Sequence, residues 1–531
     1  MKIRTLDNLL KKFFLWFSND RFKIFMFAII FGFGANILVI TANIVFADTI
    51  VFTDYYIANV WDLSLGRWGL YYADHLRFGL SSSVVSTILA LIYLSFSAIL
   101  IIDLLKIKGK VSKFLTAGLL VTAPFLFETL FSSFCSSEYL LAFLLSVIAV
   151  YIVYNSKKYV ISTTIASLLL AISLGLYQAY IGVASALCVF IPVIYLLRNE
   201  YDKKYVFKKF LQSLVMGILA IVFYVIILNI ILALWNVSLE SYSGANEIGL
   251  KNFLMLPELI INAYRSFYQY FFTDVIMKND IYNREWVHLI LSLLTAISII
   301  LILFQNKKLN WQSRLFIIFC LLISPIAVCL VELIAPERDI SLLMAAPLMI
   351  VYIFTLSIIE FKETTNTKAI LNWGIIICCV FVFISNFVMS NASYMAVRVN
   401  KDKTVTAITR VMNIIWDNEE YTPDMPIMFA GNGESGYLGQ RTNGMFNLAT
   451  GHTAESPLVW GSNVDNCNTG WQKLINYYLG YKINVVDYET HMKILDTEEF
   501  AEMPIFPSKD AVQIINEVMV VKFENDSSRV R

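Results

Sequence analysis

Four aspartates and two arginines are set among tyrosines and tryptophans in one stretch, ADTIVFTDYYIANVWDLSLGRWGLYYADHLRFG (47–79), which holds Asp48, Asp54, Asp62 and Asp74 with Arg67 and Arg77. Aromatic and polar residues alternating over such a length suit helices that lie along a membrane surface, rings at headgroup depth and acids toward water. An acid in that position reaches a lipid-borne reactant. For any single aspartate, solvation of a loop is a sufficient explanation; it is the set, with Gly66-Arg67-Trp68 beside it, that points to chemistry. Other patterns point nowhere. The four histidines, His75, His288, His452 and His491, are far apart and have no metal-ligand spacing. GNGESG (431–436) lacks the Walker Lys-Ser/Thr and the full dinucleotide spacing, and reads as a turn.

The elements that must position these residues are membrane helices. Of 531 residues, 58% are hydrophobic and 15% charged, with mean hydropathy +0.66, far more apolar surface than one soluble core buries. Apolar stretches of spanning length fall at about 24–46, 85–105, 114–127, 138–154, 159–177, 180–197, 210–234, 286–304, 315–334, 341–360 and 370–391, which predicts roughly eleven transmembrane helices. The segments KIKGKVSK (106–113), NSKK (155–158), RNEYDKKYVFKK (198–209), QNKKLNWQSR (305–314) and EFKETTNTK (360–368) are short and mostly basic, and so belong to the cytoplasm. Segments 47–84, 128–137, 177–180, 235–285 and 335–340 are poor in Lys and Arg, and so lie outside. The N-terminus reads as an interfacial cytoplasmic helix with no cleavage site. A net charge of +1 gives no basic field for a nucleic acid, and five of the seven cysteines sit inside apolar runs as packing residues.

An odd number of crossings places the tail outside the cell. The expected organisation is a membrane-embedded domain, 1–391, whose first outer loop is 47–84, and a small extracytoplasmic α/β domain, 392–531. The tail pattern predicts a helix at about 393–417, strands at PIMFAG, INVVD and VMVVKF, and a helix around 509–517.

An Asp soon after the first apolar segment, followed by Trp61 and then SLGRW (64–68), resembles the Gtr-type (GtrII-like) membrane glucosyltransferases, which decorate O-antigen and other bacterial surface glycans. SLGLYQAYIG (173–182) is similar to a Tyr-Gln segment of that family, and PERDISLLMAAP (336–347) resembles its late loop with an Arg before an apolar helix. The tail has a comparable size and α/β character. One departure is that many members carry adjacent acids in the first loop, whereas Asp48 and Asp54 are separated by five residues. The resemblance implies the all-α GT-C class, polytopic enzymes that take a sugar from a polyprenyl phosphate carrier on the outer face.

Attack of a sugar hydroxyl on an anomeric carbon, expelling a phosphate with inversion, needs a carboxylate to accept the proton and cations to stabilise the phosphate. Asp54 is therefore expected as general base, with Asp48 as the alternative. Arg67 and Arg338 are expected at the donor phosphate, because a guanidinium holds two phosphate oxygens at once. Headgroup anchoring would equally explain Arg67, and a local pair with Glu337 or Asp339 would explain Arg338. Glu128, Glu138, Tyr177 and Gln178 are expected to contact acceptor sugar, against helix N-terminal charge stabilisation for Glu138 and interfacial placement for Tyr177.

The expected activity moves glucose or a related hexose to a surface polysaccharide. Its partners are the lipid-linked sugar donor, the glycan acceptor and the bilayer, with no nucleic acid. No cofactor is required; a divalent cation at the donor phosphate stays open. The expected place is the plasma membrane, with the N-terminus cytoplasmic. The rival reading, a transporter or flippase of lipid-linked sugars, predicts ionisable residues at mid-depth in the helices, whereas these spans are nearly uncharged and the acids crowd at the rim.

Overall fold

The computed structural model describes residues 11–12, 14–17, 19–41, 50, 55–240, 255–277, 284–335, 340–360, 366–440, 448–449, 459 and 464–525. In chain order the helices of the bundle are α1 (Asn19–Thr41), α2 (Val60–Ser64), α3 (Trp68–Leu76), α4 (Ser83–Leu104), α5 (Lys110–Val121), α6 (Pro124–Phe131), α7 (Ser136–Asn155), α8 (Tyr159–Leu176), α9 (Ile181–Arg198), α10 (Lys203–Trp235), α11 (Leu256–Phe272), α12 (Arg284–Gln305), α13 (Trp311–Val328), α14 (Met349–Ile358) and α15 (Asn366–Trp416). Among the described residues ten helices are long and apolar enough to cross a membrane, and Ala346–Ile358 adds a shorter apolar one. Every expected span falls on one of these eleven. The chain is a polytopic, all-α membrane protein with a small sheet near its C-terminus.

The third span looked short in the sequence because it is broken: α5 ends at Val121 and α6 restarts with Pro124 at its first position, where the missing N–H costs nothing. Burial separates the layers of the bundle. The span containing α9 is 94% buried over its apolar window and forms the centre, whereas α10 is only 22% buried and turns its apolar surface to lipid. Small residues let the central helices approach. Ser146 on α7 and Ser173 on α8 share a hydrogen bond of 2.9 Å, and Ser173 also donates to the Ala142 carbonyl at 2.8 Å.

The basic segments meet at one end of the bundle. Arg198 donates to the carbonyls of Lys106 and Ser357, both at 2.6 Å. Glu360 accepts from the backbone of Lys108 and Gly109, Asn306 donates to Leu197 O at 2.9 Å, and Lys209 caps the end of α7 through Val153 O and Ser156 O. Cations over helix C-terminal carbonyls are the favourable arrangement for the helix dipole. The segments assigned to one side by charge thus share one face, and the first loop lies at the opposite end.

The tail has its own core. Beyond the bundle, α15 continues without a break, and its residues Ala407, Ile408, Val411, Met412 and Ile415 pack with Phe429, Trp471, Leu474, Met519 and Val521. The expected helix at 393–417 is therefore the upper half of α15. The sheet has the order β1-β3-β2, with β1 (Ile427–Ala430) parallel and β2 (Val512–Ile515) antiparallel to β3 (Val518–Lys522). INVVD contributes only a bridge between Val485 and Ile427. Helices α16 (Val464–Leu479), α17 (Tyr488–Leu495) and α18 (Glu498–Glu502) complete the layer.

One expectation is corrected here. The segment 509–517 is not a helix: after a single turn at Lys509–Ala511 it forms β2 and a two-residue hairpin turn. Asn516 and Glu517 have φ of 51° and 62°, the left-handed pair that a tight hairpin needs, and the flanking Val and Ile favour strand.

Candidate active site at the first loop

The first loop folds into two short helices because its polar residues cap them. Asn59 accepts from Trp61 N at 2.9 Å, and Asp62 accepts from Asn59 N at 3.1 Å, a reciprocal capping box that starts α2. The Tyr56 hydroxyl donates to the same Asp62 carboxylate. Gly66, at φ 80°, makes the turn between α2 and α3.

That turn is held by its carbonyls. Ser64 O accepts from Glu240 N at 3.0 Å, Leu65 O from the Gln178 side-chain amide at 2.9 Å, and Gly66 O from the Tyr224 hydroxyl at 3.0 Å. From below, Trp68 lies on Gly175 of α8, where a Cβ would stand 2.4 Å from the indole. Leu63 and Trp68 pack with Leu228 and Ile231 of α10. The backbone of SLGRW is thus fixed from α8, α10 and the turn at Gln178, and Arg67 is the side chain it presents.

The guanidinium of Arg67 donates to the Tyr139 hydroxyl at 3.1 Å and stands 6.0 and 5.7 Å from the ring centres of Tyr139 and Tyr177. Those rings stack on each other at 4.1 Å. Among the described residues no carboxylate pairs with Arg67, and its Nε and the Trp68 indole N–H are buried donors without acceptors. A buried cation beside a tyrosine stack, with donors to spare, is arranged for an anion that no described residue supplies.

Arg77 is the contrasting case. It donates through Nε to Glu138 at 2.6 Å and through Nη2 to Asp74 at 2.8 Å, and also to the carbonyls of Leu80 and Phe134. All three side chains are within 5% of full burial. Asp74 accepts from Ala58 N at 2.7 Å. Burial first, and the Glu138 charge second, push the Asp74 carboxyl up to about 7 against the pull of Arg77. This triad ties the loop to the start of α7, one residue from Tyr139.

The expected site residues are distributed as follows. Arg67, Tyr177 and Gln178 come together, Gln178 through the turn it holds. Glu138 lies beside them but is bonded to Arg77 and Ser137. Glu128 is half-buried on α6, the helix whose Phe127 and Phe131 rings pack on Tyr394. Asp48, Asp54 and Arg338 lie outside the described residues. Tyr139 and Tyr224 were missed, and Asp74 and Arg77 stood in the first-loop set without their pairing to each other and to Glu138. Only the Asp74–Arg77 pair, three apart at the end of α3, carried a local signal. No group of three or more His, Cys, Asp or Glu residues suited to a metal occurs among the described residues.

The family model described as glucosyl transferase GtrII matches residues 37–358, from the end of α1 through α14, and so contains the whole loop-and-tyrosine arrangement but not the tail. No curated protein and no solved structure matches the chain.

Proposed function

The chain belongs to the glucosyl transferase GtrII family, and from that premise we propose that this multi-pass membrane glucosyltransferase takes its hexose from a polyprenyl phosphate and delivers it to a surface polysaccharide on the outer face. The observation that carries the reading is Arg67, buried at Nε, flanked by Tyr139 and Tyr177 and lacking a carboxylate partner among the described residues. The donor phosphate supplies the missing anion.

In this reaction the acceptor hydroxyl oxygen bonds to the anomeric carbon as the bond from that carbon to the phosphate oxygen breaks. The hydroxyl proton passes to a carboxylate, and the electron pair leaves with the polyprenyl phosphate, whose charge Arg67 and Arg338 stabilise. Our candidate for the base is Asp54, with Asp48 as its alternative; Asp62 caps a helix and Asp74 belongs to the Arg77 triad. Glu128, Tyr177 and Gln178 border the acceptor side. The basic end faces the cytoplasm, which puts the first loop and the tail outside.

The test is transfer in proteoliposomes from a polyprenyl phosphate hexose to the glycan, comparing Asp54→Asn and Asp48→Asn. One of the two is expected to lose ~10²–10⁴-fold in rate. Full transfer by both variants removes the base, and a purified protein that never consumes such a donor removes the carrier. Movement of the intact lipid-linked sugar across the bilayer without transfer would favour the flippase reading.

A further inference from the structure

A second arginine is buried without a carboxylate partner among the described residues, on different helices from the first. Arg284 lies on α12 and is 5% exposed. Its Nη2 donates to the Asn386 carbonyl oxygen on α15 at 2.9 Å, and Nη1 approaches the Met389 sulfur at 3.5 Å. The Tyr352 phenol of α14 lies alongside. Tyr352 in turn donates to His288 Nε2 at 2.8 Å, and His288 Nδ1–H donates to Phe271 O at 2.7 Å. No salt bridge to Arg284 exists among the described residues.

The cluster has a surplus of donors. Because Asn386 turns its carbonyl to the guanidinium, its amide Nδ2 is left buried without an acceptor, as is Arg284 Nε. Arg198, at the basic end, is a different case, since two backbone carbonyls accept from it. A desolvated cation beside an amide with idle N–H groups calls for an anion with several acceptor oxygens.

We propose that Arg284 and Asn386, steadied by Tyr352 and His288, form a second phosphate-binding site in the outer part of the bundle, separate from that at Arg67. Its ligand is a phosphate group, borne by a lipid or free in solution. The two sites share no residue. This inference does not depend on which aspartate is the base or on which phosphate Arg67 holds.

The test is thermal unfolding of the purified full-length protein with and without inorganic phosphate in detergent, and in nanodiscs of phosphatidylcholine with and without phosphatidic acid. Wild type and Arg67→Gln are expected to be stabilised, and Arg284→Gln to need about ten- to a hundredfold more ligand for the same gain. A response to phosphatidic acid alone supports a lipid-borne ligand, and a response to inorganic phosphate supports a free one. If Arg284→Gln does not accumulate, Asn386→Asp serves instead: its carboxylate replaces the anion, raising the unliganded midpoint and blunting the response. An unresponsive wild type, an equal response in Arg284→Gln, or an unchanged midpoint with full response in Asn386→Asp overturns the proposal.

Discussion

Replacing Asp74 by asparagine tests the energetics of the triad that docks the first loop. In the folded protein the Asp74 carboxyl is pushed up to about 7, whereas an unfolded aspartate titrates near ~3.9. Between those values the folded state holds more protons than the unfolded one. Stability must therefore fall as pH rises from about 4 to about 7, and level off above. A difference of about three pH units at ~1.4 kcal/mol each sets a ceiling of about 4 kcal/mol. The amide in Asp74→Asn still offers an oxygen to Arg77 or to Ala58 N but carries no charge, and Arg77 then faces Glu138 alone. The variant is expected to match wild type near about pH 4, to lack this pH slope, and to unfold a few degrees higher at about pH 8. Thermal unfolding of the purified protein from about pH 4 to about pH 8.5 spans both plateaus and gives the answer. A slope in Asp74→Asn equal to that of wild type would refute the idea that this carboxylate is held against its charge by Glu138 and burial.

Four further outcomes follow from the geometry. Arg67→Gln should leave the fold intact while lowering kcat/KM for the lipid donor by about 10²–10⁴-fold, the worth of two charge-assisted hydrogen bonds; Arg67→Lys should fall between, since an ammonium cannot span two oxygens. Gly175→Ala places a Cβ 2.4 Å from the Trp68 ring, and at ~1–3 kcal/mol of overpacking it should displace SLGRW and reduce transfer with little loss of folded protein, as gel filtration would report. All seven cysteines are buried, so N-ethylmaleimide should leave the native mass unchanged and add seven labels after denaturation. Glu517→Gly should stabilise the tail by about 1 kcal/mol, because Glu517 sits at φ 62° where glycine bears no Cβ penalty, measurable as a rise in the tail's denaturation midpoint.

The spanning helices and their common basic end were readable because both signals are local: apolar run length fixes the first, and Lys and Arg between runs fix the second. The SLGRW turn stands out as a focus from its residue types, and Arg67 in it reads as a donor-phosphate contact or a headgroup anchor. What the sequence could not disclose were pairings across helices. Arg77 meets Glu138 over 61 positions, and nothing near Glu138 marks it as an ion-pair partner instead of a sugar contact. Tyr139 was invisible for a similar reason, being one more tyrosine at the head of an apolar run until the fold stacks it on Tyr177. The error at 509–517 was one of period. VQII and VMVV flank a polar Asn-Glu pair with no glycine to announce a turn, and only pairing with β1 and β3 decides for strand.

Helix α15 spans 51 residues without interruption, a length of roughly 77 Å at ~1.5 Å per residue, more than twice the ~30 Å hydrocarbon layer. It works as a mast. The tail is carried at a set height and heading, and no swivel lies between it and the bilayer along this strut. Inserting one residue in its upper half would lift whatever follows by ~1.5 Å and swing it by about a quarter turn. Changes in mast length are therefore changes in the direction the tail faces.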